Sequence, residues 1–170
     1  MKIALELATD EHKELYTNLM EKYFYEFAQW TTITMDEKGL YGCDKMVDMY
    51  YKNENYLPYI IRVDDKIAGL AVVLCVDSEN IDVHFRIDEF FIIYDYRNKG
   101  VGQFIVNSIL DKHKGKWDLE YATSNLASVK FWLKVIGEYT GGKYKMFENC
   151  SHRPNCDSTL ATVLEFESNS

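Results

Sequence analysis

The chain has 170 residues, 47% of them hydrophobic and only two of them proline, so we expect one folded domain over residues 1–170 and not a disordered chain. No apolar run reaches the roughly 20 residues of a membrane helix, and Glu6 interrupts the apolar start, so we expect a cytoplasmic protein with no membrane partner. The net charge of −8 argues against nucleic acid as the main partner.

The first half of the chain alternates between strand and helix patterns. A period of two predicts a strand over Ile3–Leu7, and a period near four predicts a helix that Asp10 caps and that ends at about Phe27. The later elements are, in order, a loop over Thr31–Gly42, a short helix near Lys45–Lys52, strands over Tyr59–Val63 and Lys66–Val76, a turn over Asp77–Asn80, and a strand over Ile81–Ile93.

After Gly100 the apolar spacing becomes helical. The elements predicted there are, in order, a helix from Val101 that stops by Gly115, a strand over Trp117–Tyr121, a helix from Ser124 or Asn125 to Gly137, and strands over Tyr144–Phe147 and Leu160–Phe166 with a loop between them that holds Cys150 to Asp157. The order β-α-α-β-β-β-α-β-α-β-β predicts a single α+β domain.

The four cysteines are Cys43, Cys75, Cys150 and Cys156, and none of them forms a C-x-x-C pair. Cys150, His152 and Cys156 are spaced so that three zinc ligands would be available, but no fourth ligand stands at a usual spacing. Unpaired thiols in a loop are therefore the preferred interpretation, a metal site is the alternative, and we predict no metal.

The most informative segment leads from Phe90 through a basic turn to Gly102, where a strand passes directly into a helix. The N-terminus of a helix offers unpaired N–H groups and the positive end of the helix dipole, so it favours an anion. Gly100 and Gly102 leave the backbone open to close approach, and Arg97 and Lys99 add positive charge. A tight turn with solvated basic side chains accounts for the same spacing, and both interpretations stay open at this point.

Arg97-x-x-Gly100-x-Gly102 resembles the R/Q-x-x-G-x-G/A signature of the GNAT superfamily of N-acetyltransferases. The segment from Asn125 to Trp132 resembles the second motif of that family, N-x-x-A-x-x-x-Y, with Ser128 in place of Ala and Trp132 in place of Tyr. The predicted order of elements agrees with that of the family along essentially the whole chain. Trp132 to Gly142 more narrowly resembles a bacterial subgroup of predicted acetyltransferases.

The resemblance implies an α/β-type domain with a mixed central sheet of about six to seven strands and about four flanking helices. It also implies acetyl-CoA as co-substrate, with its pyrophosphate on the N–H groups of the turn and its pantetheine arm along the strand that precedes it, where two strands splay apart. The cofactor-binding residues expected on this basis are Phe90, Phe91, Ile92, Arg97, Asn98, Lys99, Gly100, Val101, Gly102 and Asn125.

The implied reaction is acetyl transfer to a primary amine by direct attack on the thioester, which requires a base that takes a proton from the amine. Glu89 is the expected catalytic base, and Asp88 is the second choice, on the opposite face of the strand. A purely structural hydrogen bond or ion pair of Glu89 is the alternative. Trp132 stands at the usual position of an acidic Tyr, and its indole cannot act as an acid near neutral pH. Tyr139, Tyr144 and Tyr94 are the nearest tyrosines in the sequence.

The acceptor is expected to be a small cation. Residues 1–57 carry a net charge of −5, whereas residues 97–116 carry +4, and this division suggests one region for the anion and one for the amine. Glu26 and Asp36 are the candidate substrate residues; a solvated acidic surface is the alternative. Two alternative functions stay open: a module that only binds CoA, and acetylation of a protein N-terminus or lysine. A homodimer is a further possibility for the assembly of the protein.

Overall fold

The computed structural model describes residues 1–76, 84–151, 153–155 and 157–168. The seven strands and four helices follow in the predicted order: β1 (Ile3–Leu7), α1 (Lys13–Phe27), α2 (Asp44–Lys52), β2 (Tyr56–Val63), β3 (Lys66–Cys75), β4 (Phe85–Ile92), α3 (Val101–Lys112), β5 (Lys116–Ala122), α4 (Leu126–Thr140), β6 (Tyr144–Cys150) and β7 (Ala161–Glu167). The predicted fold class and element order are therefore confirmed.

All seven strands form one sheet in the order β1-β2-β3-β4-β5-β7-β6. Every neighbouring pair is antiparallel except β4 and β5, which run parallel. That parallel pairing is short: Phe85–Ile87 pair with Trp117–Leu119, and no pairing continues beyond them. The two strands separate after this point, so the sheet is split between β4 and β5, at the C-terminal ends of these two strands.

Helices cover both faces of the sheet, and each face has its own core. On one face α3 and α4 pack against the sheet through residues such as Ile105, Ile109 and Trp132. On the other face α1 and α2 pack against it through Leu19, Val47 and Tyr50 among others. Side chains of β3 alternate between the two cores, as a strand that is covered on both sides requires.

Two predicted helix boundaries are wrong. Asp10 does not cap α1: a single 3₁₀ turn over Asp10–His12 comes first, and the N–H and hydroxyl of Thr9 lie within hydrogen-bonding distance of Nδ1 of His12. Gly137 does not end α4, which continues to Thr140 and ends at Gly141, a residue with a φ of 62°. An interior glycine costs only about 1 kcal/mol in a helix, so packing of the flanking apolar residues carries α4 past Gly137.

The loop predicted to start at Cys150 begins one residue later, because Cys150 is the last residue of β6, where it is buried and pairs with Ala161. Two of the three zinc-ligand candidates, His152 and Cys156, lie outside the described residues. The same holds for residues 77–83, which include the predicted turn and the predicted start of the following strand. Within the described part of the chain there is no cluster of three potential metal ligands, and no described helix is both long and apolar enough to cross a membrane.

Candidate active site

The separation of β4 from β5 opens a cavity of about 430 Å³. One wall of the cavity is β4, and the opposite wall is β5 with the start of α4. Residues of α1 close the end of the cavity on the face of the sheet that α1 and α2 cover. Most of the residues predicted for catalysis or for binding of acetyl-CoA or the amine line this cavity. Lys99 and Gly100 lie in the adjoining turn, and Val101 is the first residue of α3. Those that line the cavity are Glu26, Glu89, Phe90, Phe91, Ile92, Arg97, Asn98, Gly102 and Asn125.

A β-bulge in β4 decides which way the acidic side chains point. Val72 of β3 pairs with Glu89 and Val73 pairs with Ile87, so Asp88 is an extra residue in β4. A bulge interrupts the alternation of side chains, and for this reason the expectation that only one of Asp88 and Glu89 faces the cavity is wrong. Both residues line it.

Glu89 lies where β4 meets α1 and α2. The Tyr50 hydroxyl, from α2, donates to Oε1 of Glu89 at 3.2 Å, and Tyr23, from α1, forms a second side-chain hydrogen bond with it. Burial, followed by the charge of Asp88, nevertheless raises the pKa of Glu89 to about 8. Its proton affinity thus lies closer to that of an aliphatic amine than an ordinary carboxylate's does, which suits a group that takes a proton from one.

Asp88 is the second carboxylate of the pair, and burial raises its pKa to about 6, while Arg86 acts in the opposite direction. Arg86 does not pair with it, because Arg86 Nε donates instead to the buried Asp118 at 2.8 Å. Arg153 donates to Asp118 at 2.6 Å and to Glu120 at 3.2 Å. Asp118 and Glu120 are therefore paired with arginines, whereas Asp88 and Glu89 form no ion pair with any residue that the structure describes.

The turn between β4 and α3 has the geometry of an anion site. Gly100, directly before α3, has a φ of 78°, a conformation that residues with a Cβ rarely adopt, and Asn98 has a φ of 58°. Val101 begins α3 and is fully buried, so its side chain fixes the helix end against the core. The first N–H groups of α3 have no intrahelical acceptor and face the turn. Lys99 is exposed, and its ammonium group donates to the carbonyl of Asp95.

The Arg97 side chain contacts other residues of the protein through its guanidinium group. Its Nε donates to the carbonyl of Ile92 at 2.7 Å and its Nη2 donates to Glu26 at 2.6 Å, while the guanidinium lies over the ring of Phe91. These contacts hold the basic turn against the end of α1. They also offset the charge of Glu26, so Glu26 contributes less attraction for a cation than its position in the cavity suggests.

Aromatic rings and Gly102 shape the part of the cavity between β4 and α4. Phe90 stacks on Phe131 with 5.7 Å between ring centroids, and Trp132 contacts both rings edge-on. An added Cβ at Gly102 would come within 2.9 Å of the Phe131 ring, so a larger residue there would require the ring to shift. Asn125 caps α4, accepting a hydrogen bond from the N–H of Ser128 at 3.0 Å.

Trp132 is buried in this aromatic cluster. None of the three tyrosines considered from the sequence lines the cavity: Tyr139 donates to Asp111, and Tyr94 is exposed at 77%. The cavity-lining tyrosines are Tyr23 and Tyr121. The hydroxyl of Tyr121 is buried without a hydrogen-bond partner among the described residues.

Asp36 lies away from the cavity: its carboxylate accepts hydrogen bonds from the N–H groups of Lys38 and Leu40 and shapes its own exposed loop. Sequence reasoning missed Tyr50, Glu120 and Phe131. Tyr50 and Glu89 are 39 residues apart, and nothing in the local pattern of either one indicates their contact. Phe131 stands next to the Trp132 motif position, and that adjacency is the one signal in the sequence that points to it.

Residues 6–137 match the family described as Acetyltransferase (GNAT) family. A comparison with curated protein sequences gave no match. Because the family match covers most of the chain, the protein belongs to the GNAT family of acetyltransferases, whose donor is acetyl-CoA.

Solved structures with the same fold have low sequence identity to this chain. The ribosomal-protein-S18-alanine N-acetyltransferase of Escherichia coli has a TM-score of 0.61 at 13% identity, with 99% of this chain and 96% of that chain covered. A spermidine N-acetyltransferase chimera from Vibrio cholerae and hSSAT has 0.62 at 12%, covering 98% and 96%. Naa50 of Arabidopsis thaliana, bound to a bisubstrate analogue, has 0.59 at 15%, covering 98% and 99%.

Proposed function

We propose that this chain transfers an acetyl group from acetyl-CoA to the primary amine of a small cationic acceptor. The observation that carries the proposal is the pair Asp88 and Glu89, which lines the cavity and has no lysine, arginine or histidine partner within the described residues. A desolvated pair of carboxylates that forms no ion pair with a described residue favours an ammonium group from outside the protein.

The residues along β4 fit the donor. Among the described residues, the β4 backbone beyond Ile87 has no partner on the β5 side. The backbone groups of Phe91 face β3, so the N–H and C=O groups of Phe90 and Ile92 are the ones available to an extended amide chain. The anion site at Asn98 to Gly102 lies at the end of that edge and suits the pyrophosphate. Asn125 lines the opposite wall at the start of α4. When bound, acetyl-CoA supplies the thioester acetyl group. The transfer forms a C–N bond and breaks the C–S bond, and the proton that the nitrogen loses on acylation passes through solvent to the leaving thiolate, so CoA leaves as the thiol.

Glu89 is the proposed base. In its ionised form it accepts a proton from the ammonium group, which frees the lone pair of the amine nitrogen. The hydrogen bonds from Tyr50 and Tyr23 orient the carboxylate towards the cavity and favour its charged form. Asp88 holds negative charge beside Glu89 and so keeps the cation in place until the proton moves.

The test is time-dependent release of CoA thiol from acetyl-CoA with a panel of primary amines, with the acetylated amine identified by mass spectrometry. We expect turnover with the wild type and a large loss in Glu89→Gln, which keeps the size of the side chain. Glu37→Gln, an exposed change in the loop after α1, is the matched control. Release no faster than the reaction without enzyme, for every amine, would contradict the proposal.

A second candidate function is a module that binds CoA without catalysis, and the observation that favours it is Trp132 at the position of the usual acid. Thermal unfolding separates the two. Acetyl-CoA at 100 times its Kd should stabilise the fold by roughly 2.7 kcal/mol under either function. Stabilisation without turnover supports the binding module, and no stabilisation contradicts both. Acetylation of a protein, a cytoplasmic location, the absence of a nucleic-acid partner and homodimer formation stay predictions.

A further inference from the structure

The part of the cavity next to α1, which also contains Asp88 and Glu89, is the acceptor end. Its carboxylates can neutralise one positive charge. Three acidic side chains near this end are offset by arginines: Glu26 pairs with Arg97, and Asp118 and Glu120 both pair with Arg153. The carboxylates left without a cationic partner among the described residues are Asp88 and Glu89. They are adjacent in the chain, and the charge of Asp88 raises the pKa of Glu89, so together they hold close to one negative charge near neutral pH.

The rest of the acceptor end is aromatic. Along α1, Tyr23 lies 5.6 Å from Phe24 and 5.8 Å from Phe27 between ring centroids, and it also lies 5.6 Å from Phe91 of β4. Trp30, just beyond α1, completes this wall of the cavity. Such rings bury the apolar body of a ligand, and Glu26 beside them is already paired with Arg97. A second ammonium group there would lose its hydration without gaining a carboxylate.

Hydrogen bonds at the rim join the two halves of the split sheet. The N–H and the hydroxyl of Thr32 donate to Oδ2 of Asp157, the latter at 2.9 Å, and Thr159 donates to Oδ1 of the same carboxylate. Thr32 and Asp157 each follow a cavity-lining residue, Trp30 and Asn155, by two positions. This link ties the loop after α1 to the loop before β7, close in the chain to the residues that line the cavity.

We propose that the acceptor is a small monoamine with an aromatic or aliphatic body, held by its single ammonium group at Asp88 and Glu89 and by its body against Phe27 and Trp30. The inference rests on the proposed acetyl transfer and adds to it the class of the acceptor. Polyamines and aminoglycosides are excluded by it, since their further charges have no partner in the aromatic wall.

The experiment compares amines of matched size. Pentylamine and cadaverine have the same carbon chain, and cadaverine has a second amino group. We expect kcat/KM for pentylamine to exceed that for cadaverine by about tenfold or more, and phenylethylamine to be used at least as well as pentylamine. Spermidine and a short peptide with a free N-terminus complete the set. Preference for cadaverine, spermidine or the peptide overturns the inference and leaves acetyl transfer intact.

A binding measurement decides the same point without turnover. Calorimetric titration of pentylamine and of cadaverine into the protein with CoA should give the tighter Kd for pentylamine. Trp30→Ala should weaken pentylamine binding about tenfold and leave the affinity for acetyl-CoA unchanged. Tyr25→Ala is the matched control, because Tyr25 is an exposed aromatic residue on α1 that does not line this cavity. Equal affinities for the two amines, or equal losses in the two variants, overturn the inference even where no amine is acetylated.

Discussion

Glu89→Gln should make the protein more stable above neutral pH. Glu89 has a pKa of about 8 in the folded protein against an ordinary value of 4.5, so folding raises its proton affinity. The folded state then binds more protons than the unfolded state between pH 4.5 and pH 8, and stability falls as the pH rises through that window. At 1.36 kcal/mol for each pH unit, the full difference corresponds to about 5 kcal/mol. Glutamine keeps the shape and removes the charge, so this destabilisation is absent in the variant.

We expect Glu89→Gln to raise the free energy of unfolding by about 2 kcal/mol at pH 9, less than the full difference, because solvent in the cavity that Glu89 lines screens part of the cost of its charge. In a domain of this length that gain raises Tm by about 4–8 °C. The assay is thermal unfolding followed by circular dichroism at intervals from pH 5 to pH 9. The advantage of the variant should be small at pH 5, grow up to pH 8 and then level off. Parallel pH curves for the wild type and Glu89→Gln, or a less stable variant at pH 9, would refute the desolvation of this carboxylate.

Three further variants test individual contacts. Tyr50→Phe removes a hydrogen bond that favours the ionised form of Glu89, so the rising limb of kcat/KM should move to higher pH; Tyr16→Phe, whose hydroxyl donates to the carbonyl of Ala71, should lose stability without that movement. Tyr121→Phe removes a buried hydroxyl that has no partner in the part of the chain that the structure describes, so it should be neutral or stabilising by up to about 1 kcal/mol in urea unfolding, and a clear loss of stability would reveal a further partner. Asn125→Ala removes the cap of α4 and should cost about 1 kcal/mol, whereas Asn125→Asp keeps an acceptor for Ser128 and should not; equal losses would show that the cap is not the cause.

Local patterns in the sequence were enough to predict the fold. Strand and helix periods predicted the order of all eleven elements, because each element buries one or both faces against a single sheet. The turn from Arg97 to Gly102 was also predictable, since glycines and basic residues between a strand and a helix are typical of a turn that binds an anion. The errors fell at helix ends, at Asp10 and Gly137, where tertiary packing decides between nearby stopping points.

Contacts between distant segments were not predictable in this way. The bulge at Asp88 depends on how β4 pairs with β3, and it changes which side chains face the cavity. Arg97 and Glu26 are 71 residues apart, so the sequence assigned one to the phosphate and the other to the amine, and their ion pair joins the two regions instead. Asp36 lay in an acidic stretch but satisfies its own loop. The net charge of a segment therefore did not predict which carboxylates are free to attract the amine. That depends on the ion pairs and hydrogen bonds that each carboxylate forms in the fold.

Hydrogen–deuterium exchange with and without acetyl-CoA tests most directly whether the donor binds between β4 and β5. We expect slower exchange at the backbone amides of Phe90 and Ile92, which gain partners on the open side of β4, and at Asn98–Gly102, which receive the pyrophosphate. Exchange in β1, at the far edge of the sheet, should stay the same. Unchanged exchange along β4 and in the turn, with acetyl-CoA shown to be bound, would contradict binding of the donor between β4 and β5.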